Sequence, residues 1–295
     1  MKEIVEKFGI LRKYSYLCPQ IIILCMYRNL FCFLLLVALI GDSPMAKAQN
    51  QKGRWQLVFS DEFNQPDGSL PDSTKWSPCK RYKSNAWNRW ISDIKDVAYI
   101  NNGCLVCRAI PNKSLETDTA KMLTGAIESK GKFFFKYGKV EVRMKTGKRR
   151  GNFPAVWMKP EKADPNRYGE IDIVETFGDM GVAQQTVHGH QTVVLKKKGK
   201  QHAFRTNLNV SKWHVYGMEW NANEIIFTID GKVTARYQKS RDSQDLKEGQ
   251  WTFDRPFFLI MNQSVGNGNY DVLIPNTSKV YETQFDWIRV YRIRE

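Results

Sequence analysis

Residues 167–179, RYGEIDIVETFGD, place three carboxylates, Glu170, Asp172 and Glu175, among Ile171, Ile173 and Val174. A helix does not gather them: at about 100° per residue Asp172 lies ~200° and Glu175 ~140° from Glu170. In an extended chain Glu170 and Asp172 share a face, and Glu175 joins them only if one extra residue bulges the strand. A salt-bridged surface strand accounts for single acids but poorly for three on one face, because like charges so placed repel. Such crowding is useful where one carboxyl must stay protonated while another stays ionised. Glycoside hydrolysis uses that pair: in retaining enzymes the two carboxyls stand ~5–5.5 Å apart, as nucleophile and acid/base. Same-face neighbours on one strand, ~6–7 Å apart at Cα, suit this better than the wider spacing of inverting enzymes.

The elements that must position the acids read almost entirely as β. CLVCRAI, TGAIESK, KFFFKYGKVEVRMK, GEIDIVETF, QQTVHGHQTVVL, WHVYGMEW, NEIIFTID, KVTARY, RPFFLIMNQSV and QFDWIRVYRI are short runs rich in β-branched and aromatic residues. Turn chemistry separates them, and IDGKV predicts a tight hairpin of the type I′ kind. Helical turns are expected only around SLPDSTKW and SRDSQDLKEG. Closely spaced strands with no long helices between them predict an all-β, antiparallel sandwich or jelly roll.

The 295 residues divide unevenly. LFCFLLLVALI (30–40), preceded by Arg28 and followed by AKA (46–48), is patterned as a cleavable export signal, with Met26 as an alternative start. A membrane anchor is the rival, but the uninterrupted apolar run falls short of the ~20 residues a span needs. The expectation is a leader over 1–48, one catalytic domain over 49–295, and a protein that is periplasmic, surface-bound or secreted, with no stable membrane insertion after cleavage. After position 48 there remain 39 basic and 27 acidic residues. The dense runs, GKRR (147–150) and LKKKGK (195–200), read as solvated loop tips, with an anion site as the alternative. No nucleic-acid motif accompanies the charge, which together with export argues against such a partner. Cys79, Cys104 and Cys107 are an odd set for an exported chain, and as buried small hydrophobes they need no pairing.

Trp87-Asn88-Arg89-Trp90 mixes indoles, an amide and a guanidinium in a polar stretch, a set suited to sugars and singling out Arg89 and Trp90. His188 and His190 have a spacing that would share one face of a strand, but no third ligand stands at zinc spacing, and a hydrogen-bonding role for His188 is the alternative.

GEIDIVE preceded by NFPAVWMKP resembles the active-site signature of glycoside hydrolase family 16 in its bulged form. FSDEFN, GKVEVRMK, WHVYGMEW, IDGK, RPFFLIMNQSVG and FDWIRVY extend the resemblance over residues 54–293. It implies a concanavalin-like jelly roll with a concave substrate cleft, and endo-action with retained configuration. Glu170 would be the nucleophile, Glu175 the acid/base and Asp172 the assistant of Glu170. Arg143, Trp157, His188 and Gln263 would contact sugars. The resemblance implies no cofactor for catalysis, but a structural calcium on Glu62, the Gly103 carbonyl and Asp286, where oxygen ligands suit that ion. WNRWIS, DTAKMLTG and QTVHGH look closer to the branch acting on galactose-containing glycans, mucin-type chains included, than to laminarinases. A laminarinase-like endo-β-1,3(4)-glucanase is the alternative, and a non-cutting lectin on the same fold the second. A monomer acting on a polysaccharide or glycan is the expected state.

Overall fold

The computed structural model describes residues 55–82, 86–268 and 273–294, so the leader expected over 1–48 lies outside it. The described strands are β1 (Trp55–Asp61), β2 (Ser77–Pro78), β3 (Ala98–Asn101), β4 (Cys104–Pro111), β5 (Met122–Thr124), β6 (Ala126–Glu128), β7 (Gly138–Thr146) and β8 (Asn152–Pro160). They continue with β9 (Gly169–Thr176), β10 (Val182–Gly189), β11 (Ala203–Asn207), β12 (His214–Trp220), β13 (Glu224–Ile229), β14 (Lys232–Gln238), β15 (Phe257–Val265) and β16 (Tyr281–Ile293). Helix among these residues is confined to α1 (His190–Val193), α2 (Ser243–Lys247) and one 3-10 turn. None is long and apolar enough to cross a membrane.

Two antiparallel sheets result. One runs β14-β13-β12-β7-β16-β4-β3, with β1 and β5 attached to β16 and β4, and the other runs β11-β10-β9-β8-β15-β6-β2. Period-2 patterning decides what lies between them: Val140, Val142 and Met144 of β7 face Val156 and Met158 of β8, Ile171 of β9 and Leu259 and Met261 of β15 in one core. The other face of the seven-stranded sheet carries a smaller cluster, in which Ile91, Cys79 and Trp87 pack on Ala155, Trp157, Phe258 and Ile260. That face carries the polar cleft.

The expected hairpin is present. Asp230 and Gly231 both have positive φ (50° and 75°) between β13 and β14, the signature of a type I′ turn. Two further local expectations fail and one holds. QTVVL, read as strand, opens with α1, because β10 loses its neighbour where Gly189 meets Gly169, the first residue of β9. SLPDSTKW forms the single helical turn expected, the Trp76 amide donating to the Asp72 carbonyl at 2.9 Å while the Asp72 side chain accepts from the Thr74 amide at 2.8 Å. Phe133 and Phe134 precede β7 rather than joining it.

Candidate active site

The bulge lies where the acids require it. On one side of β9, Glu175 pairs with Gln184 and Asp172 with Thr186, so three residues of β9 span two of β10. On the other, Val174 pairs with Val156 and Asp172 with Trp157, which isolates Ile173 as the extra residue. Ile171, Ile173 and Val174 are fully buried in the core, and the three carboxylates line one cleft of about 440 Å³ on the opposite face.

Their surroundings differ. Glu170 Oε2 accepts from the Tyr168 hydroxyl at 2.7 Å and lies 2.8 Å from Lys159 Nζ, while its Oε1 stands 3.7 Å from His188 Nε2. Burial works to protonate Glu170, but Lys159 and His188, with the Tyr168 hydrogen bond, outweigh it and hold the carboxyl below its ordinary range. Asp172 is 2 % exposed and lies 3.1 Å from His188 Nε2. Burial, reinforced by Glu170, pushes it up to about 6. Glu175 has no cation as close: the Thr186 hydroxyl donates to Oε2 at 3.3 Å, and burial together with Asp172 and Glu170 drives its pKa well above the ordinary value. His188 is raised to about 9, because its contact with Asp172 and the neighbouring acids outweigh burial.

One strand therefore carries a carboxyl biased toward its ionised form and another biased toward its protonated form, on either side of Asp172 and facing one cleft. Trp157 and Trp87 meet edge to face at 5.0 Å beside them, and Trp157 Nε1 donates to Asn262 Oδ1 at 2.8 Å. Phe153, Phe177, Gln184 and Arg205 complete the far wall. Apolar ring faces beside convergent polar groups form a surface on which sugar C–H faces and hydroxyls both find partners.

The model of the glycosyl hydrolases family 16 matches residues 95–288. The chain belongs to this family. Among its relatives, the keratan-sulfate endo-1,4-β-galactosidase of Sphingobacterium multivorum is 35% identical over 81% of this chain. The chain spans 56% of that relative's length. The β-glucanase of Rhodothermus marinus is 31% identical over 88% of this chain and 93% of its own. A solved structure described with endo-acting O-glycanases of the human gut microbiota superposes with TM-score 0.68 at 27% identity, over 80% of this chain and 98% of that one.

Within this family 16 domain the expected sugar contacts divide. Trp157 and His188 line the cleft. Arg143 does not: alternation along β7 sends it to the outer face of the nine-stranded sheet, where it pairs with Asp286 and covers the Trp213 ring. Gln263 is fully buried, follows the inward parity of Phe257, Leu259 and Met261, and donates to Asn152 Oδ1 at 2.7 Å. Its neighbour Asn262 occupies the cleft instead. Arg89 turns away to donate to the carbonyls of Val265 (3.1 Å) and Gly266 (2.7 Å), with its guanidinium over Trp90, and Trp90 packs against Met122 and Tyr281. Trp87 is the indole of that motif that reaches the cleft. His190 leaves the strand altogether, and its Nδ1 accepts from the Tyr168 amide at 3.3 Å.

The residues named for calcium do not fit that ion as they stand. Glu62 gives its two oxygens to Arg289 at 2.9 and 2.7 Å, and Asp286 is engaged by Arg143. Carboxylates neutralised by guanidinium groups do not assemble the roughly six to eight oxygen ligands calcium takes. Glu170, Asp172 and His188 offer ligand atoms within 4.8 Å of one another, a spacing a metal can bridge, but the protonated imidazole and Lys159 already supply positive charge there.

Lys159, Tyr168 and Asn262 were not singled out from the sequence, and Trp87 was named there only within the Trp87–Trp90 motif. Lys159 had a usable signal, since it lies two residues after Trp157 on β8 and shares its face.

Proposed function

We propose that the chain is a retaining endo-glycosidase that cuts internal β-galactosidic bonds of galactose-containing glycans, mucin-type O-glycans included. One observation carries the mechanism: on the bulged strand, Lys159, His188 and Tyr168 favour the ionised form of Glu170, while burial beside other acids favours the protonated form of Glu175. A lectin has no use for that division. In the first step a Glu170 oxygen attacks the anomeric carbon as Glu175 delivers its proton to the departing glycosidic oxygen, so the C–O bond breaks while the glycosyl ester forms. In the second, Glu175 takes a proton from water, the water oxygen attacks the same carbon, and Glu170 leaves as carboxylate. Two inversions retain the configuration. Asp172 and protonated His188 sit against Glu170 and share its electrostatic balance through both steps.

The galactose preference is supported by the Sphingobacterium relative, a keratan-sulfate endo-1,4-β-galactosidase, and by the O-glycanase neighbour. The glucanase of Rhodothermus marinus, matched over nearly its whole length, supports an endo-β-1,3(4)-glucanase as the second reading. Product analysis by mass spectrometry on keratan sulfate, mucin O-glycans, agarose, laminarin and mixed-linkage β-glucan, with Glu170→Gln as the inactive control, tests both. Galactose-terminated products that vanish in the variant support the proposal. Products from laminarin alone transfer it to the second reading.

A further inference from the structure

A second cavity, about 360 Å³, opens away from the acids. The end of β7 and the turn after it supply Lys145, Lys148 and Arg149, Ser211 adds one side, and the start of β16 closes it. The volume is that of a small-ligand site. GKRR, which the sequence left as a solvated tip or an anion site, forms part of its wall.

Two observations favour the anion site. The first is rigidity. The turn is tied on all sides by backbone: Gly147 N donates to Glu282 O, Arg149 N to Gly178 O, Gly178 N to Asn152 O and Gly266 N to Gly151 O. Beneath it Asn152 Nδ2 donates to Gly147 O at 2.6 Å and to Thr146 Oγ1 at 2.9 Å, while Gln263 holds the other end of the Asn152 amide. The side chains of the turn are exposed, but its backbone is fixed, so a ligand meets cations carried on an ordered segment that need not be ordered on binding. The second is charge. Among the described residues no carboxylate lies at ion-pair distance from Lys145, Lys148 or Arg149. The acid in the wall, Glu282, is 3.3 Å from Arg108 and accepts from Gln284 at 2.8 Å. Lys145 and Arg143 both lie 4.7 Å from the centre of the Trp213 ring, so an indole adjoins the cations.

We propose that this cavity is a second, non-catalytic binding site for the acidic substituents of a glycan, sulfate ester or carboxylate, which tethers the chain while the cleft cuts it. The inference rests on the proposed function insofar as the ligand is a glycan; the cations and their framing do not depend on it. A strongly basic protein meets an acidic polymer readily, and a cluster of cations on a fixed turn converts that attraction into a local contact.

The test is affinity electrophoresis of the full chain through gels holding keratan sulfate, its chemically desulfated form, or polygalacturonate, each compared with a polymer-free gel. Lys145→Gln/Lys148→Gln is compared with Lys198→Gln/Lys200→Gln, which removes equal charge from a run that contributes nothing to the cavity wall. Arg149 is left in place because it donates to the Val280 carbonyl at 2.9 Å. The wild type is expected to be retarded by an acidic polymer and little by the desulfated one, with sulfate and carboxylate sources separated by the two acidic gels. The cavity variant loses about tenfold in affinity, the order expected from two exposed charge contacts, and the control variant keeps it. Equal losses in both variants, no loss in either, or a wild type that no acidic polymer retards overturns the proposal. Release of oligosaccharides from the desulfated polymer and from mucin O-glycans is measured alongside: if it is absent while selective retardation persists, the proposed function fails and the site stands.

Discussion

Lys159→Met removes a charge from the nucleophile while keeping a side chain of similar length. Five groups face Glu170: Lys159 from β8, Tyr168 just before β9, Asp172 and Glu175 on β9, and His188 from β10. Lys159 is the cation in closest contact, at 2.8 Å from Oε2. A hydrogen bond to a charged group contributes roughly 1.5–3 kcal/mol, which corresponds to about ten- to hundredfold in any step that depends on Glu170 as carboxylate. The direction of the pH effect follows from what remains. Without Lys159, burial and the flanking acids favour the protonated form, so the acid limb of kcat/KM moves to higher pH. The alkaline limb, set by Glu175, stays. Glu170 is also the leaving group when water opens the glycosyl ester, so that step slows most. Stopped-flow with an activated aryl galactoside is expected to show a burst, with kcat and KM falling together and kcat/KM falling less. Lys159→Arg restores the acid limb. An unmoved acid limb in Lys159→Met, with no burst, refutes the assignment.

Other outcomes follow from the same geometry. In Glu175→Ala an activated aryl substrate still forms the glycosyl ester, and added azide is expected to restore turnover with a β-configured azide product seen by NMR; an α-configured product would exchange the roles of Glu170 and Glu175. His188 is raised from 6.5 to about 9, so its contribution to stability is full below 6.5 and is lost as pH rises through about 9. His188→Gln therefore gives a chemical-denaturation profile that declines less than wild type between those values. Deleting Ile173 restores simple alternation, which keeps all three acids on the cleft face but draws Glu175 back by about 3.3 Å along the strand. The deletion also empties a fully buried position at a cost of about 2–5 kcal/mol. Thermal melts are expected to show a folded, weaker protein, and the product assay little activity.

The acids and their bulge were legible because carboxylates alternating with Ile and Val permit few arrangements on a strand. The sandwich was legible from turn chemistry between short β runs. Gln263 was misplaced because FFLIMNQSV is buried along its whole length and carries no alternation to fix parity, so Asn262 and Gln263 cannot be ordered from pattern alone. Arg143 alternates plainly in GKVEVRMK, but nothing in a sequence says which outer face of a two-sheet sandwich carries the cleft. Lys159 was missed because its importance arises across strands, from the pairing of β8 with β9 and the chain turn that brings Tyr168 beside it.

The three cysteines among the described residues are free and buried, Cys107 between the sheets, Cys79 beneath the cleft-side cluster and Cys104 near Asp286. Burial pushes all three thiols up, which suppresses the thiolate that labelling reagents need. Each is therefore a silent clock. Modification at Cys107 awaits separation of the two sheets, and modification at Cys79 awaits lifting of the segment that carries Trp87. Site-resolved thiol labelling in native buffer thus measures how often each layer opens, with no engineered probe.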